Sequence, residues 1–198
     1  MFSGIVEETG KVVSIEKNRE NIDFTLSCSF VNQLKIDQSI AHNGVCLTVV
    51  RKTSDTYTVT AIQETLNKTN LGDLVAGSEV NLERSMTMDK LLDGHMVQGH
   101  VDQTALCTKV EEAEGSWYFT FEYDPSLGNI TVEKGSISVD GVSLTVVNSQ
   151  DNSFQVAIIP YTYNHTVFHN YKVGTRINLE FDIIGKYITK IMKQQLGK

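Results

Sequence analysis

The sequence predicts an all-β protein built from two tandem, homologous, six-stranded antiparallel closed β-barrels of Greek-key type, followed by a C-terminal α-helix. The text SIAHNGVCLTVV at residues 39–50 recurs as SISVDGVSLTVV at residues 136–147, and self-similarity of this kind indicates a duplicated domain. In each copy, short runs rich in Val, Ile, Thr, Tyr and Phe alternate with a period of two residues, which is typical of half-buried strands.

The repeat extends on both sides of this text. Its matching pieces are MFSGIVE (1–7) with MVQGHVD (96–102), ETLNKT (64–69) with YTYNHT (161–166), and GSEVNLE (77–83) with GTRINLE (174–180). We therefore expect one barrel domain over residues 1–93, a second over residues 94–185 and a helix over residues 186–198.

The strands of the first copy are expected in GKVVSIEK, NIDFTLSCSF, SIAH, VCLTVV, TYTVTAI and SEVNLER. The dipeptides Asn43-Gly44 and Asp140-Gly141 favour two-residue hairpin turns. About six short strands in each copy favour a closed barrel, because closure removes exposed strand edges.

After Asp182 the pattern changes, since Ile184, Tyr187, Ile188 and Ile191 recur at helical spacing. This spacing predicts an amphipathic helix. A solitary helix of this length is only marginally stable, so we expect its apolar stripe to pack on another helix, either in this chain or in another copy of it.

The composition excludes several classes of protein. The formal net charge is −7 and the basic residues are scattered, which counts against binding of a nucleic-acid backbone. No apolar run reaches 18 residues and no basic-then-apolar leader is present, which predicts a cytoplasmic protein without a membrane span. The three cysteines lack CxxC spacing, so we expect reduced thiols and no metal site.

The segments MFSGIVEETG, AHNGVCLTV, ETLNKTNLGDL, GHMVQGHVD, VDGVSLTVV and NLEFDIIGKY together resemble the riboflavin synthase family, the alpha type with lumazine-binding repeats. The resemblance covers essentially the whole chain. It implies conversion of two molecules of 6,7-dimethyl-8-ribityllumazine into riboflavin and 5-amino-6-ribitylaminouracil by transfer of four carbons, without a cofactor or a metal. It also implies a homotrimer held partly by C-terminal helices, an active site between subunits, and an association with lumazine synthase.

The resemblance further implies two sets of site residues. The catalytic set is Phe2, Ser39, Cys46, His100, Ser143 and Asp182. The substrate-binding set is Gly4, Val6, Thr48, Ile62, Glu64, Thr65, Gly99, Lys134, Asp140, Thr145, Ile159 and Thr162. We expect Ser39 and Cys46 to act from one chain, and His100, Ser143 and Asp182 to act from the second barrel of its neighbour.

The copies differ at polar positions, where Asn43, Cys46 and His42 of the first correspond to Asp140, Ser143 and Val139 of the second. Such differences suggest two related sites that treat like ligands differently. Within the catalytic set, His100 takes the place of Ile5 in the repeat, and imidazole titrates near neutrality and can carry a proton.

Each of these assignments has a simpler structural alternative. Cys46 could be a small buried apolar residue, and Thr48 and Thr145 could be ordinary strand formers. Asp140 could serve the turn alone, and Lys134 could solvate the start of a strand. His95, by contrast, is expected to make a structural hydrogen bond.

Two other functions remain open from the sequence. One is a non-catalytic lumazine or flavin carrier of the antenna type, which shares the predicted fold but need not keep both sites. The other is an oligonucleotide-binding barrel, against which the acidic charge and the lack of interleaved basic and aromatic residues count.

Overall fold

The computed structural model describes residues 1–196 and has the predicted architecture of two closed antiparallel barrels and a C-terminal helix. The first barrel consists of β1 (Glu8–Asn18), β2 (Asn21–Ser27), β3 (Ser39–His42), β4 (Val45–Lys52), β5 (Tyr57–Ala61) and β6 (Glu79–Arg84). The second consists of β7 (Gln103–Ala113), β8 (Ser116–Glu122), β9 (Ser136–Val139), β10 (Val142–Val147), β11 (Ser153–Ile158) and β12 (Arg176–Phe181).

Three α-helices accompany the strands: α1 (Gln63–Lys68), α2 (Pro160–His165) and α3 (Ile183–Leu196). Helix α3 begins three residues before the boundary expected from the sequence, directly after Asp182, whose side chain accepts a hydrogen bond from the Ile184 amide. Within the described residues, none of these helices is both long and apolar enough to cross a membrane.

The two barrels share one strand order. The first runs β1-β2-β5-β4-β3-β6 before closing, and the second has the same order through β7-β8-β11-β10-β9-β12. The predicted hairpins are present, because β3 pairs with β4 and β9 with β10. Asn43 and Gly44 both have positive φ, as do Asp140 and Gly141, which is the turn geometry that matches strand twist.

Each barrel has its own core, and the two cores are filled differently. Val12, Leu26 and Leu71 belong to the first, whereas the second is rich in aromatic rings, including Phe119, Phe121, Phe154 and Phe168. The rings of Phe119 and Phe168 meet edge to face with centroids 5.1 Å apart, a favoured aromatic geometry. The duplicated backbone is therefore stabilised by two distinct sets of side chains.

The two hairpin turns stack on each other where the barrels meet. A Cβ atom added to Gly44 would lie 2.7 Å from the Gly141 nitrogen, and one added to Gly141 would lie 2.8 Å from the Gly44 nitrogen. Asn81 donates from its side chain to the Asp140 carbonyl at 2.9 Å, and Asn178 donates to the Asn43 carbonyl at 2.8 Å. Reciprocal contacts of this kind relate the two barrels by an approximate two-fold axis.

Candidate functional site

The segments that precede the two barrels each cross to the barrel of the other half. Ser143 of β10 donates its backbone N–H to the carbonyl oxygen of Gly4 at 2.7 Å, and Cys46 of β4 donates to the carbonyl of Gly99 at 2.9 Å. Val6 packs against the second core, and Val101 packs against the first. Residues 1–7 therefore lie against the second barrel, and residues 96–102 lie against the first.

A short two-stranded bridge joins the crossing segments. Phe2 donates to the Val97 carbonyl at 2.8 Å, and Val97 donates back to the Phe2 carbonyl at 3.1 Å. Phe2 is fully buried in a small apolar cluster with Ala41 and Val97, on which Cys46 also packs. Phe2 therefore lies beside Cys46, and its ring belongs to the protein interior.

Glycine is needed where each segment touches a strand. Gly4 has φ +76° and Gly99 has φ +82°, a region that disfavours residues with a Cβ atom. A Cβ atom on Gly4 would lie 2.6 Å from Ser143 Cβ, and one on Gly99 would lie 2.6 Å from Cys46 Cβ. These two predicted residues therefore allow the backbone of each segment to lie directly against the neighbouring strand.

Two glutamates that the sequence interpretation missed hold the segments. The Glu83 carboxylate accepts from the Ser3 and Gly4 amides at 2.7 and 3.0 Å. Glu180 accepts from the Gln98, Gly99 and His100 amides at 2.6, 2.9 and 2.9 Å. Burial raises the pKa of both carboxyls, and these hydrogen bonds oppose the increase. The signal was present in the sequence as the repeated NLE of β6 and β12.

The predicted residues of the first barrel lie on adjoining elements. Ser39 of β3 pairs in register with Thr48 of β4. Cys46 is partly buried, Thr48 is exposed and His100 is exposed beside them. Ile62 is also exposed, and it immediately precedes α1, which carries Glu64 and Thr65.

Glu64 has a partner on its own helix. Its carboxylate accepts from Lys68 at 2.9 Å, and this interaction holds the pKa of Glu64 below its usual value. The Glu64 side chain is therefore an exposed group, and one of its two carboxylate oxygens is engaged by Lys68.

One expectation about His100 is wrong in its location. The sequence comparison assigned His100 to the second barrel because the residue belongs to the second repeat. Its neighbours Gly99 and Val101 both contact the first barrel, while its own amide donates to Glu180 of β12, so the chain around His100 lies against Cys46 and not against Ser143 of the same chain. The reason is the crossing of the segments, which places each repeat's leading residues on the opposite barrel.

The second barrel gathers Ser143, Asp182 and His95. The Ser143 hydroxyl oxygen lies 2.6 Å from Nδ1 of His95. Burial lowers the pKa of His95, and the nearby Asp182 carboxylate opposes that decrease. The hydrogen bond expected of His95 is present, and its partner is a predicted site residue, which makes His95 a member of this cluster that sequence spacing did not identify.

The remaining predicted residues of the second half lie on β10, in the turn before β9, and at α2. Thr145 is exposed on β10 opposite Ser136, Ile159 is exposed before α2, and Thr162 lies within α2. Lys134 is exposed in the turn before β9, where it has φ +64°. Its amide donates to the Val146 carbonyl at 3.0 Å, so its position is set by the strand turn.

Asp140 has no oxygen facing an open cleft. It is fully buried between the barrels, where its carboxylate accepts from the Asn178 amide at 2.7 Å, from Asn70 Nδ2 at 3.0 Å and from the Tyr171 hydroxyl at 2.5 Å. Burial raises the pKa of Asp140 to about 7, against the effect of these hydrogen bonds. The turn interpretation therefore accounts for Asp140, and direct substrate contact does not fit its position.

His42 also belongs to the interior. Its ring lies between the Tyr57 hydroxyl, 2.9 Å away, and the Ile40 carbonyl, 3.1 Å away. Burial lowers the pKa of His42 to about 4. Of the three polar differences between the copies, only Cys46 against Ser143 therefore lies at a candidate site.

A groove of about 660 Å³ lies elsewhere, between α3 and residues 128–137. Asp182 is the only one of the predicted site residues that lines it. More of the predicted residues lie at the hydrogen-bonded segments around Gly4 and Gly99 than in this groove. We therefore take these segments as the candidate sites. In the described part of the chain, no cluster of three or more His, Cys, Asp or Glu side chains could hold a metal ion.

Comparison with known proteins agrees with this architecture. The family model described as lumazine binding domain matches residues 3–85 and again residues 98–182. Solved structures of LumP in complex with 6,7-dimethyl-8-(1'-D-ribityl) lumazine and with riboflavin superpose with TM-scores of 0.82 and 0.84. They are 22% and 24% identical, cover 91% of this chain, and are themselves covered to 99% and 98%, so they support the fold.

Curated relatives are more similar in sequence. Riboflavin synthase of Bacillus subtilis (strain 168) is 42% identical over 193 residues, covering 97% of this chain and 90% of that protein. Riboflavin synthase of Mycobacterium bovis (strain ATCC BAA-935 / AF2122/97) is 42% identical over 198 residues, covering 98% of both chains. With two lumazine binding domains and this identity over nearly its whole length, the chain belongs to the riboflavin synthase family.

Proposed function

We propose that this protein catalyses the dismutation of two 6,7-dimethyl-8-ribityllumazine molecules to riboflavin and 5-amino-6-ribitylaminouracil. The observation that carries the proposal is the pair of equivalent sites. Each barrel has a small polar strand residue, Cys46 or Ser143, against a glycine of the crossing segment. A reaction that consumes two identical molecules needs two such sites, and the whole-chain similarity to riboflavin synthases supports this activity.

Positioning supplies much of the rate in this proposal. Two lumazines held face to face react as if they were one molecule, which contributes up to roughly 7–11 kcal/mol in ideal cases. Ser39, Thr48, Thr145 and Thr162 supply hydroxyl groups suited to a ribityl chain, and Ile62, Ile159 and Val6 supply apolar contacts for the heterocycle. Buried Phe2 closes the first site from behind and helps to exclude water.

Proton transfer is assigned to His100. One lumazine loses a proton from its C7 methyl group, while the other accepts the resulting carbon nucleophile. His100 is exposed and follows Gly99, which lies against Cys46, and the His100 backbone is fixed by Glu180, so its imidazole is available to a ligand there. At the second site, Ser143 with His95 and Asp182 offers a polar group already oriented by a hydrogen bond.

The protein is proposed to act as a homotrimer with each active site between the first barrel of one subunit and the second barrel of a neighbour. The apolar stripe of α3 supports assembly, because Ile184, Ile188 and Ile191 are 60%, 53% and 52% exposed. Apolar side chains this exposed along one helix face favour burial against another chain.

The test is to incubate the protein with 6,7-dimethyl-8-ribityllumazine in buffer containing a metal chelator. Loss of lumazine absorbance and growth of the yellow fluorescence of riboflavin over many turnovers are expected. A His100→Gln variant should bind lumazine but turn it over ~10²–10⁴-fold more slowly. Stoichiometric binding of lumazine without riboflavin formation would instead identify a carrier and refute the proposal.

A further inference from the structure

The segment that carries His100 is anchored at its far end by an ion pair with the C-terminal helix. The Lys186 ammonium donates to both carboxylate oxygens of Asp102, at 2.9 and 2.7 Å. Asp102 also accepts from the Phe181 amide at 2.9 Å, and its own amide donates to the Leu179 carbonyl at 2.9 Å. Residues 96–102 are thus tied at once to β12 and to the first turn of α3.

This ion pair differs from ordinary surface pairs in its burial. The Lys186 and Asp102 side chains are only 25% and 19% exposed. Pairs at fully exposed sites contribute little, whereas breaking a partly buried pair leaves an uncompensated charge. The Lys186 charge also acts on Glu180, where it opposes the increase in pKa caused by burial.

In the corresponding segment of the first half, the acidic residue Glu7 lies close to two cationic side chains. Glu7 accepts from Arg84 at 2.9 and 2.6 Å, and Lys90 lies 3.8 Å from the same carboxylate. At the repeat position of Arg84 the second half has Phe181. Within residues 1–196, Lys186 is accordingly the one cation paired with Asp102.

We propose that Lys186 is a positioning residue that fixes the Asp102 end of residues 96–102 to β12 and α3 and so couples helix α3 to the placement of His100. The inference rests on the proposed function in so far as His100 acts on the substrate. It assigns to α3 a role in the site itself, in addition to assembly.

The physical consequence of losing Lys186 follows from the two carboxylates that it faces. Without the ammonium, the Asp102 carboxylate loses its ion-pair partner, and Glu180 loses the positive charge that opposes the increase in its pKa. Asp102 joins the end of the segment to the Phe181 amide of β12, and Glu180 holds three amides of the segment. The segment then loosens, and His100 loses its fixed position. A displacement of about 1 Å can cost on the order of 10²-fold in rate, while a ligand at Ser143 keeps its contacts.

The experiment compares Lys186→Met, Asp102→Asn and the double variant, with Lys190→Met as the control for loss of one positive charge from the same helix. Turnover, KM and sedimentation are measured for each. Hydrogen exchange is measured at the Gln98, Gly99 and His100 amides, which donate to Glu180.

We expect Lys186→Met to lower kcat by ~10-fold or more, with KM changed less than ~3-fold and faster exchange at the three amides. The double variant should recover part of this loss, because removing both charges is less costly than leaving one unpaired. Lys190→Met should match the wild type.

Unchanged kcat and unchanged amide exchange in Lys186→Met would overturn the inference. So would a double variant as impaired as Lys186→Met, or a loss of activity that follows dissociation of the assembly while the three amides stay protected. If the wild type makes no riboflavin, the proposed function fails instead, and the exchange measurement still tests the anchoring by Lys186.

Discussion

Ser143 donates its backbone N–H to the carbonyl oxygen of Gly4, so that β10 of the second barrel is bonded to the first residues of the chain. The matching bond from Cys46 to Gly99 joins β4 of the first barrel to residues from the second half. Neither candidate site is therefore made by one repeat alone.

Gly99→Ala should displace the segment from β4, because the new Cβ atom would lie 2.6 Å from Cys46 Cβ. We expect turnover to fall more than ~10-fold, since His100 is the next residue. Gly77→Ala is the control, because Gly77 has φ +93° but no atom within 4 Å of the added Cβ. It should cost about 1–2 kcal/mol of stability and leave turnover intact. Equal activities of the two variants would contradict this account.

Phe2→Ala should destabilise the protein by about 3–5 kcal/mol and abolish turnover, because the fully buried ring packs with Ala41 and Val97 beside Cys46. Phe2→Leu should recover part of both. Val13→Ala, at an exposed apolar position, controls for general loss of apolar surface. Urea unfolding and the lumazine assay provide the measurements, and full activity of Phe2→Ala would remove Phe2 from the site.

Asp140→Asn should change how stability depends on pH. Burial raises the pKa of Asp140 from 3.8 to about 7, so between these values the folded protein holds a proton that the unfolded chain releases. The contribution of Asp140 to the free energy of unfolding is then fully present below pH 4 and is lost as pH rises through 7. The loss is roughly 4 kcal/mol at most.

The Asn variant lacks this loss, so its free energy of unfolding relative to the wild type should improve between pH 4.5 and pH 8. Urea titrations at both values measure the difference. Asp151→Asn, at an exposed site, should run parallel to the wild type. A parallel curve for Asp140→Asn would show that Asp140 is ionised throughout this range.

Ile188→Asp combined with Ile191→Asp should convert the proposed trimer into a smaller species, because both side chains are about half exposed on α3 and charges oppose burial at an interface. The barrels should still unfold cooperatively. Sedimentation equilibrium gives the mass of the complex. Gln194→Asp serves as the control on the same helix, and a trimer that survives the double substitution would exclude this face from assembly.

Mixed assemblies should reveal which residues share a site. A Cys46→Ala, His100→Gln chain has a damaged first barrel, and a Ser143→Ala, Asp182→Ala chain has a damaged second barrel. If each site pairs the first barrel of one subunit with the second barrel of another, the re-assembled mixture should regain activity where two intact barrels meet.

The control mixture combines a Ser39→Ala, Cys46→Ala chain with a His100→Gln chain. Since the residues on both sides of His100 contact the first barrel, we expect both chains to lack an intact first site and the mixture to stay inactive. Recovery in this control would return His100 to the second site. Failure of the first mixture, with mixed trimers formed, would locate the site within a single chain.

The sequence alone determined the two barrels, the hairpins at Asn43-Gly44 and Asp140-Gly141, and the terminal helix. Each depends on signals that are local or repeated: alternation with a period of two, turn dipeptides, apolar residues at helical spacing, and matching text in two places. Among the candidate site residues, Ser39 and Thr48 pair in register on neighbouring strands, because strand register follows from the same alternation.

Only the tertiary structure decided which residues share a site. The repeat shows that residues 96–102 belong to the second half of the sequence. It does not show which barrel they pack on, because the two barrels are similar and no local sequence pattern distinguishes them. The segment that carries His100 packs on the first barrel because of burial and hydrogen bonds between the two halves. The same kind of contact pairs His95 with Ser143 and buries Asp140 between the barrels. These contacts join residues far apart in the chain, so their energies appear only once both barrels have formed.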